Sequence, residues 1–294
     1  MNYPNNNKRA IVGYLAYKQD QYAMFKIFLN SIELINAKDT DIVIFYESPY
    51  APVFEKYSDN IDIGTNNARL ILVEMESLHI SDKAFEQYLY INSISCLQNQ
   101  EWLKRYAYIL KTDLDVVLTT KWNDYYPTEF ETGLGAYNHD DNTKQQLKKV
   151  ADRLQLLSKN KYQYNIGSSW YGKSEDILQV ASLCVSISRE LLTNEFKNFT
   201  GEWPGFFRGV TLLYASEIAI NYLIDDININ SDSLDFNSNS IDTTFLHSHI
   251  HFGHCTDSFS KHSFLRGDYD TIDVSSLDTN IVNEYCLFCA LTAF

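Results

Sequence analysis

The chain has 294 residues, 45% of them hydrophobic, with 38 acidic against 24 basic residues and a net charge of −14. That is enough apolar material for one large domain or two small ones. The acidic balance, with no basic run, argues against non-specific nucleic-acid binding, and no apolar stretch reaches the roughly 20 residues of a membrane span. Residues 1–9 are polar and Asn-rich, so the start is not expected to be a signal peptide, and the apolar run 10–17 is too short to span a bilayer. The five cysteines are odd in number and scattered. Cys286-x-x-Cys289 lies in an apolar C-terminal run and reads as buried thiols. A soluble protein in a reducing, cytoplasmic setting is the expectation.

In chain order, residues 10–17 (Ala-Ile-Val-Gly-Tyr-Leu-Ala-Tyr) predict a buried strand. Residues 20–36 carry Tyr22, Phe25, Ile27, Phe28, Ile32 and Ile35 near helical spacing. Residues 41–46 predict a second strand, 51–58 a short helix or turn, and 70–73 a third strand. Residues 82–105 read as helical, with a break near Gln98-Asn99, and 106–111 as a fourth strand. Further on, residues 133–137 predict a strand, 141–159 a polar amphipathic helix, and 174–198 and 208–223 two more helices. Residues 230–242, rich in Ser, Asn and Asp, predict a loop or weak strand. Alternating strands and helices define an α/β fold whose mainly parallel central sheet has helices on both faces. No linker or repeat divides the chain, so a single domain over 1–294 is expected.

The sharpest motif is Asp113-Leu114-Asp115, between the apolar runs Tyr-Ile-Leu and Val-Val-Leu. In an extended segment residues i and i+2 point to one side, so both carboxylates can face one point. Two such charges repel; a hard divalent cation, Mg²⁺ or Mn²⁺, resolves that cost and also holds phosphates. In α/β sheets, ligands bind beyond the carboxyl ends of the strands, where this motif is placed.

A second cluster puts four of the seven histidines in residues 247–254. His247, His249 and His251 alternate and share one face if extended, and imidazole is a frequent metal ligand. Asp257, Lys261, His262 and Arg266 follow. Lys261 and Arg266 are natural partners for a diphosphate, or surface charges. Glu217 interrupts an apolar helical run, and a buried carboxylate there needs a reason: it is either a catalytic base or nucleophile, or a paired core carboxyl. Glu202, beside Trp203-Pro204-Gly205, is the second catalytic candidate. Trp170 and Trp203 could each stack on a sugar ring, or belong to the core.

The combined pattern resembles the GT-A class of nucleotide-sugar-dependent glycosyltransferases. The residues carrying the resemblance are the N-terminal strand–helix alternation, Asp113-x-Asp115 after an apolar strand, the later Asn165-x-Gly167-Ser168, and His251-Phe252-Gly253 with Lys261 downstream. Lys261 stands further from the glycine than is usual in that class. The resemblance implies a GT-A-like domain with a nucleotide-binding half (1–120) and an acceptor-binding half (121–294). It implies a nucleoside-diphosphate sugar donor, UDP above all, and a glycan or other hydroxyl acceptor. Asp113 would lie near the ribose or metal, Asp115 would ligate Mn²⁺ or Mg²⁺, and His251 or His249 would complete the shell. Tyr14 and Tyr17, at the end of the first strand, would contact the base. A late histidine ligand leans toward retention of configuration.

Two other classes share parts of the pattern. Haloacid-dehalogenase phosphatases also carry an apolar strand followed by Asp-x-Asp, with the first residue, here Asp113, as nucleophile. Their motif sits near the chain start, and their later acidic pair is hard to locate here, with Asp225-Asp226 an adjacent candidate. A binding module that kept the fold and lost the chemistry is the other alternative.

Overall fold

The computed structural model describes residues 8–54, 61–63, 68–253 and 259–294. The chain forms two compact units that interleave along the sequence. Unit 1 comprises Met1–Glu74, Leu110–Tyr126 and Asn230–Phe294, and unit 2 comprises Met75–Ile109 and Pro127–Ile229. Both combine strands and helices, and the α/β class expected from the sequence is observed, with mixed, mostly parallel pairing and flanking helices.

Strand β1 (Arg9–Leu15) opens unit 1, followed by helix α1 (Gln19–Leu34), strand β2 (Thr40–Glu47), a helical turn α2 (Ala51–Phe54), and strands β3 (Ile61–Ile63) and β4 (Ala68–Met75). β1 and β2 pair in parallel, Val12 opposite Val43. Their continuous apolar runs suit strands covered on both faces. Arg9 anchors the start of β1. Its guanidinium lies between the Trp122 and Tyr126 rings, 4.4 and 4.3 Å from their centres, and donates to Thr40 Oγ1 at 2.9 Å.

The chain then enters unit 2 through short turns, α3 (Leu78–Ser81) and α4 (Asn92–Ser95), with 3₁₀ turns at Lys83–Phe85, Leu89–Ile91 and Glu101–Arg105. This corrects the helix expected over 82–105. Gln87 and Asn99 take positive φ (64° and 58°), a left-handed conformation that no α-helix continues through. Strand β5 (Tyr108–Lys111) leads back into unit 1 and β6 (Val116–Leu118).

Unit 2 resumes with β7 (Phe130–Leu134), α5 (Asp141–Leu154), β8 (Ile166–Lys173), α6 (Ser174–Glu190), α7 (Thr211–Leu223) and β9 (Ile227–Ile229). β7 runs antiparallel to β8 and parallel to β9. Asp140 caps α5, accepting from the Thr143 amide at 2.8 Å. The helix stops at Gln155, whose φ of 58° is a left-handed C-cap, short of the boundary expected at 159. α6 ends in a π-turn, Leu191–Glu195, rather than running to 198.

The last part of unit 1 holds β10 (Phe236–Asn237), β11 (His249–His251), α8 (Lys261–Leu265) and α9 (Val282–Leu291). A small sheet, β10-β11-β6, forms within this unit. Met24 and Ile27 of α1, Val117, Ile250, Phe252, and Val282, Cys286, Cys289 and Ala290 of α9 make one buried cluster. Burying side chains of this size contributes about 1.5–3 kcal/mol each for the larger ones. Cys286 and Cys289 are free thiols inside that cluster, as the apolar run predicts, and burial pushes the Cys289 thiol up to about 12. Cys255 and Asp257 lie outside the described residues. Among the described residues no helix is long and apolar enough to cross a membrane.

Candidate metal centre

The site grows from the bend between β5 and β6. Asp113 and Asp115 lie in that bend rather than on a continuous strand, and what orients them is the residue between them. Leu114 is 2% exposed, packed down against β1. A Cβ on Gly13 would come within 2.6 Å of its Cδ2 atom, so the glycine makes the room that Leu114 fills. With Leu114 turned inward, Asp113 is left 38% exposed, whereas Asp115 is largely enclosed beside His251 and Lys261.

His251 reaches them through strand pairing. β11 runs antiparallel to β6 with His251 opposite Val116, and the Phe252 amide donates to the Asp115 carbonyl at 2.9 Å. Ligand atoms of Asp113, Asp115 and His251 thereby come within 4.8 Å of one another. Donors in a six-coordinate shell with bonds near 2.1 Å stand about 3–4 Å apart, so a small contraction suffices for an ion. Two carboxylates and one imidazole form a donor set that Mn²⁺ accepts readily and Mg²⁺ tolerates, with positions left over for phosphate oxygens. Lys261 makes a direct ion pair with Asp115 Oδ2, and Lys111 Nζ lies 3.6 Å from Asp113 Oδ1.

Electrostatics follow from this crowding. Burial opposes the charge on Asp115, yet His251 and Lys261 outweigh it and hold the carboxyl well below the usual range. Burial likewise favours neutral His251, but Asp115 and then Asp235 raise its pKa well above the ordinary imidazole value. His251 Nε2 lies 3.4 Å from Asp115 Oδ1, and Nδ1 lies 3.5 Å from Asp235 Oδ1.

His249 stands outside the triad. Its Nδ1 accepts from the Asp235 amide at 3.1 Å, so the proton sits on Nε2, which donates to Thr112 Oγ1 at 2.8 Å. Both nitrogens are engaged, and burial lowers its pKa to about 4. His247 is buried too, its Nδ1 2.7 Å from the Asp232 carbonyl. Each of the three alternating histidines thus meets residues 232–237, part of the 230–242 stretch that the sequence predicts as a loop or weak strand and that holds the short β10. Asp235 carried no sequence signal of its own.

At the end of β1, the Tyr14 hydroxyl donates to Glu47, which also accepts from the Tyr17 amide at 2.8 Å. The Tyr17 ring is 55% exposed and meets Tyr50 edge-on at 4.8 Å. Glu47 is a further residue the sequence reading missed. Arg266 is exposed and pairs with Asp268 at 2.6 Å.

In unit 2, Glu217 has no exposed surface. It accepts from Asn138 Nδ2 at 2.7 Å and the Asn165 amide at 2.8 Å, and the Tyr137 and Tyr162 hydroxyls face it. Burial pushes its carboxyl up to about 7 against these donors. The carboxyl pins the loop after β7 and the residue before β8 to α7. Glu202 is exposed, in a turn closed by its carbonyl accepting from the Gly205 amide at 2.9 Å. Trp203 in the same turn is 49% exposed, whereas Trp170 is 1% exposed and donates to the Gly167 carbonyl at 3.2 Å.

The carboxylate–carboxylate–imidazole cluster beyond the end of β5 has the donor set of a group that could hold a divalent cation. By sequence, the chain belongs to the DUF7164 family, described as a domain of unknown function, which it matches over residues 4–290. No curated protein matches the chain.

Proposed function

We propose that the protein is a metal-dependent glycosyltransferase of GT-A type, taking its sugar from a nucleoside-diphosphate donor, UDP above all, for a glycan or other hydroxyl acceptor. The observation that carries this reading is the convergence of Asp113, Asp115 and His251 beyond the end of β5, with Lys111 and Lys261 beside them. When bound, Mn²⁺ or Mg²⁺ would supply the Lewis acidity that makes a nucleoside diphosphate a competent leaving group.

The protein's own share is positional. Asp113 and Asp115, oriented by the buried Leu114, offer oxygens on one side, and His251 offers Nε2 on the other. Lys261 and Lys111 offer ammonium groups to the anionic leaving group. Tyr17 presents an accessible aromatic face at the end of β1 for the nucleotide base. In unit 2, Trp203 supplies an exposed ring suited to a pyranose face, and Glu202 is an exposed carboxylate in the same turn. A retaining outcome is the favoured stereochemistry on the strength of the family resemblance.

The test is a panel of nucleotide sugars incubated with the protein and Mn²⁺, with nucleoside-diphosphate release as the readout, alongside thermal melts with UDP and Mn²⁺ together and apart. Metal-dependent release and a joint stabilisation are expected. A response to phosphate mimics alone, with none to UDP, would overturn the reading in favour of phosphatase chemistry.

A further inference from the structure

We propose that Asp235 is the positioning residue of the metal centre, acting through His251 rather than touching the ion. The inference rests on the metal reading above. The two nitrogens of His251 face opposite carboxylates: Nε2 lies 3.4 Å from Asp115 and Nδ1 lies 3.5 Å from Asp235. A carboxylate behind a ligating imidazole keeps the rear nitrogen protonated, leaves the front lone pair for the ion, fixes the ring plane and raises ligand basicity. Asp235 is 5% exposed, and a carboxylate so buried is costly unless a cation or donor uses it.

The backbone at Asp235 serves the same end. Its φ of 55° is left-handed, a conformation that Asp and Asn adopt more easily than other non-glycine residues. In this conformation its amide donates to His249 Nδ1 at 3.1 Å, and His249 Nε2 in turn donates to the hydroxyl of Thr112, the residue before Asp113. One residue therefore reaches both flanks of the triad: through His251 toward Asp115, and through His249 and Thr112 toward Asp113. β10 holds this residue in place, with Phe236 and Asn237 paired in register with Ile250 and His251.

Asp235→Asn is the informative change. Asn tolerates the left-handed backbone, keeps the amide that holds His249, and removes only the carboxylate charge. Mn²⁺ affinity of the full chain would be measured by electron paramagnetic resonance or calorimetry for the unaltered protein, Asp235→Asn, His251→Ala and the double variant, with thermal melts in parallel. The expected result is a loss of about 10- to 100-fold for Asp235→Asn, a similar or larger loss for His251→Ala, and a double variant no weaker than His251→Ala alone. The melting temperature of Asp235→Asn should stay close to that of the unaltered protein.

Unchanged Mn²⁺ affinity in Asp235→Asn overturns the inference alone. So does a double variant whose loss is the product of the two single losses, because Asp235 would then act independently of His251. Failure of Asp235→Asn to fold assigns the residue a structural role and also overturns it. Absence of Mn²⁺ binding in the unaltered protein, with or without UDP, overturns the metal reading itself and this inference with it.

Discussion

The ammonium of Lys261 sits on Oδ2 of Asp115, 146 residues earlier in the chain, while His251 faces Oδ1 of the same carboxylate. A divalent ion must therefore compete with Lys261 for Asp115 unless an anion draws the ammonium away. Lys261→Met should bind Mn²⁺ alone more tightly, by roughly tenfold if the ion pair is worth the lower end of measured buried charge couplings. The extra Mn²⁺ affinity conferred by UDP should shrink in the same variant. Calorimetric titration with and without UDP reads both quantities, and weaker Mn²⁺ binding in Lys261→Met would contradict the competition.

Asp113 and Asp115 should separate function from stability. Asp113 is 38% exposed, with Lys111 at 3.6 Å, so Asp113→Ala should abolish tight Mn²⁺ binding while changing stability by less than about 1 kcal/mol. Asp115 is enclosed between His251 and Lys261. Asp115→Ala should also abolish binding, but it leaves the Lys261 ammonium without its carboxylate and His251 with Asp235 alone, a loss of up to about 3–5 kcal/mol if the pair behaves as a buried one. Urea unfolding of the two variants makes the comparison; equal stability would refute it.

Glu217 predicts a pH dependence. Its folded pKa of about 7 stands above the ordinary value of 4.5, so the folded state favours the protonated form. Its contribution to stability is fully present below the unfolded value and is lost as pH rises toward 7, roughly 3 kcal/mol over that interval. Glu217→Gln removes this slope. Unfolding free energies from pH 5.5 to 8.5 should fall more steeply in the unaltered protein than in the variant, and parallel curves would count against the shift. Turnover of Glu217→Gln at one pH separates a pinning carboxyl, which leaves kcat near normal, from a base, which does not.

The two tryptophans should behave oppositely. Trp170→Ala empties a buried site and should cost about 3–5 kcal/mol. Trp203→Ala exposes little new core and should leave the melting temperature nearly unchanged while weakening acceptor binding. Acceptor KM and thermal melts, measured together, distinguish the two; a large destabilisation in Trp203→Ala would remove it from the acceptor surface.

The α/β class was legible because β1, β2 and β5 are continuous apolar runs, and the Asp-x-Asp because apolar flanks on both sides are foreign to an ordinary turn. The region 82–105 misled because its apolar spacing is nearly helical, while single left-handed residues, Gln87 and Asn99, break it. The choice between His249 and His251 could not be read from alternation, which treats them alike. It is made by Thr112 and Asp235, partners from other segments that occupy both nitrogens of one ring and only the rear of the other. The buried Glu217 was visible as a carboxylate in an apolar run, but Asn138 and Asn165, which hold it, were not.

The interleaving of the two units sets an order of assembly during synthesis. Every residue of unit 2 lies between Met75 and Ile229, whereas unit 1 also needs Asn230–Phe294. As the chain leaves the ribosome, unit 2 can complete its packing first. Until His251 and the α9 side chains emerge, α1 and β6 lack the α9 share of the apolar cluster they join, and Asp113 and Asp115 lack the imidazole that later stands beside them. A nascent chain stalled near residue 229 should therefore expose that surface to chaperones and carry a folded unit 2 beside an open unit 1.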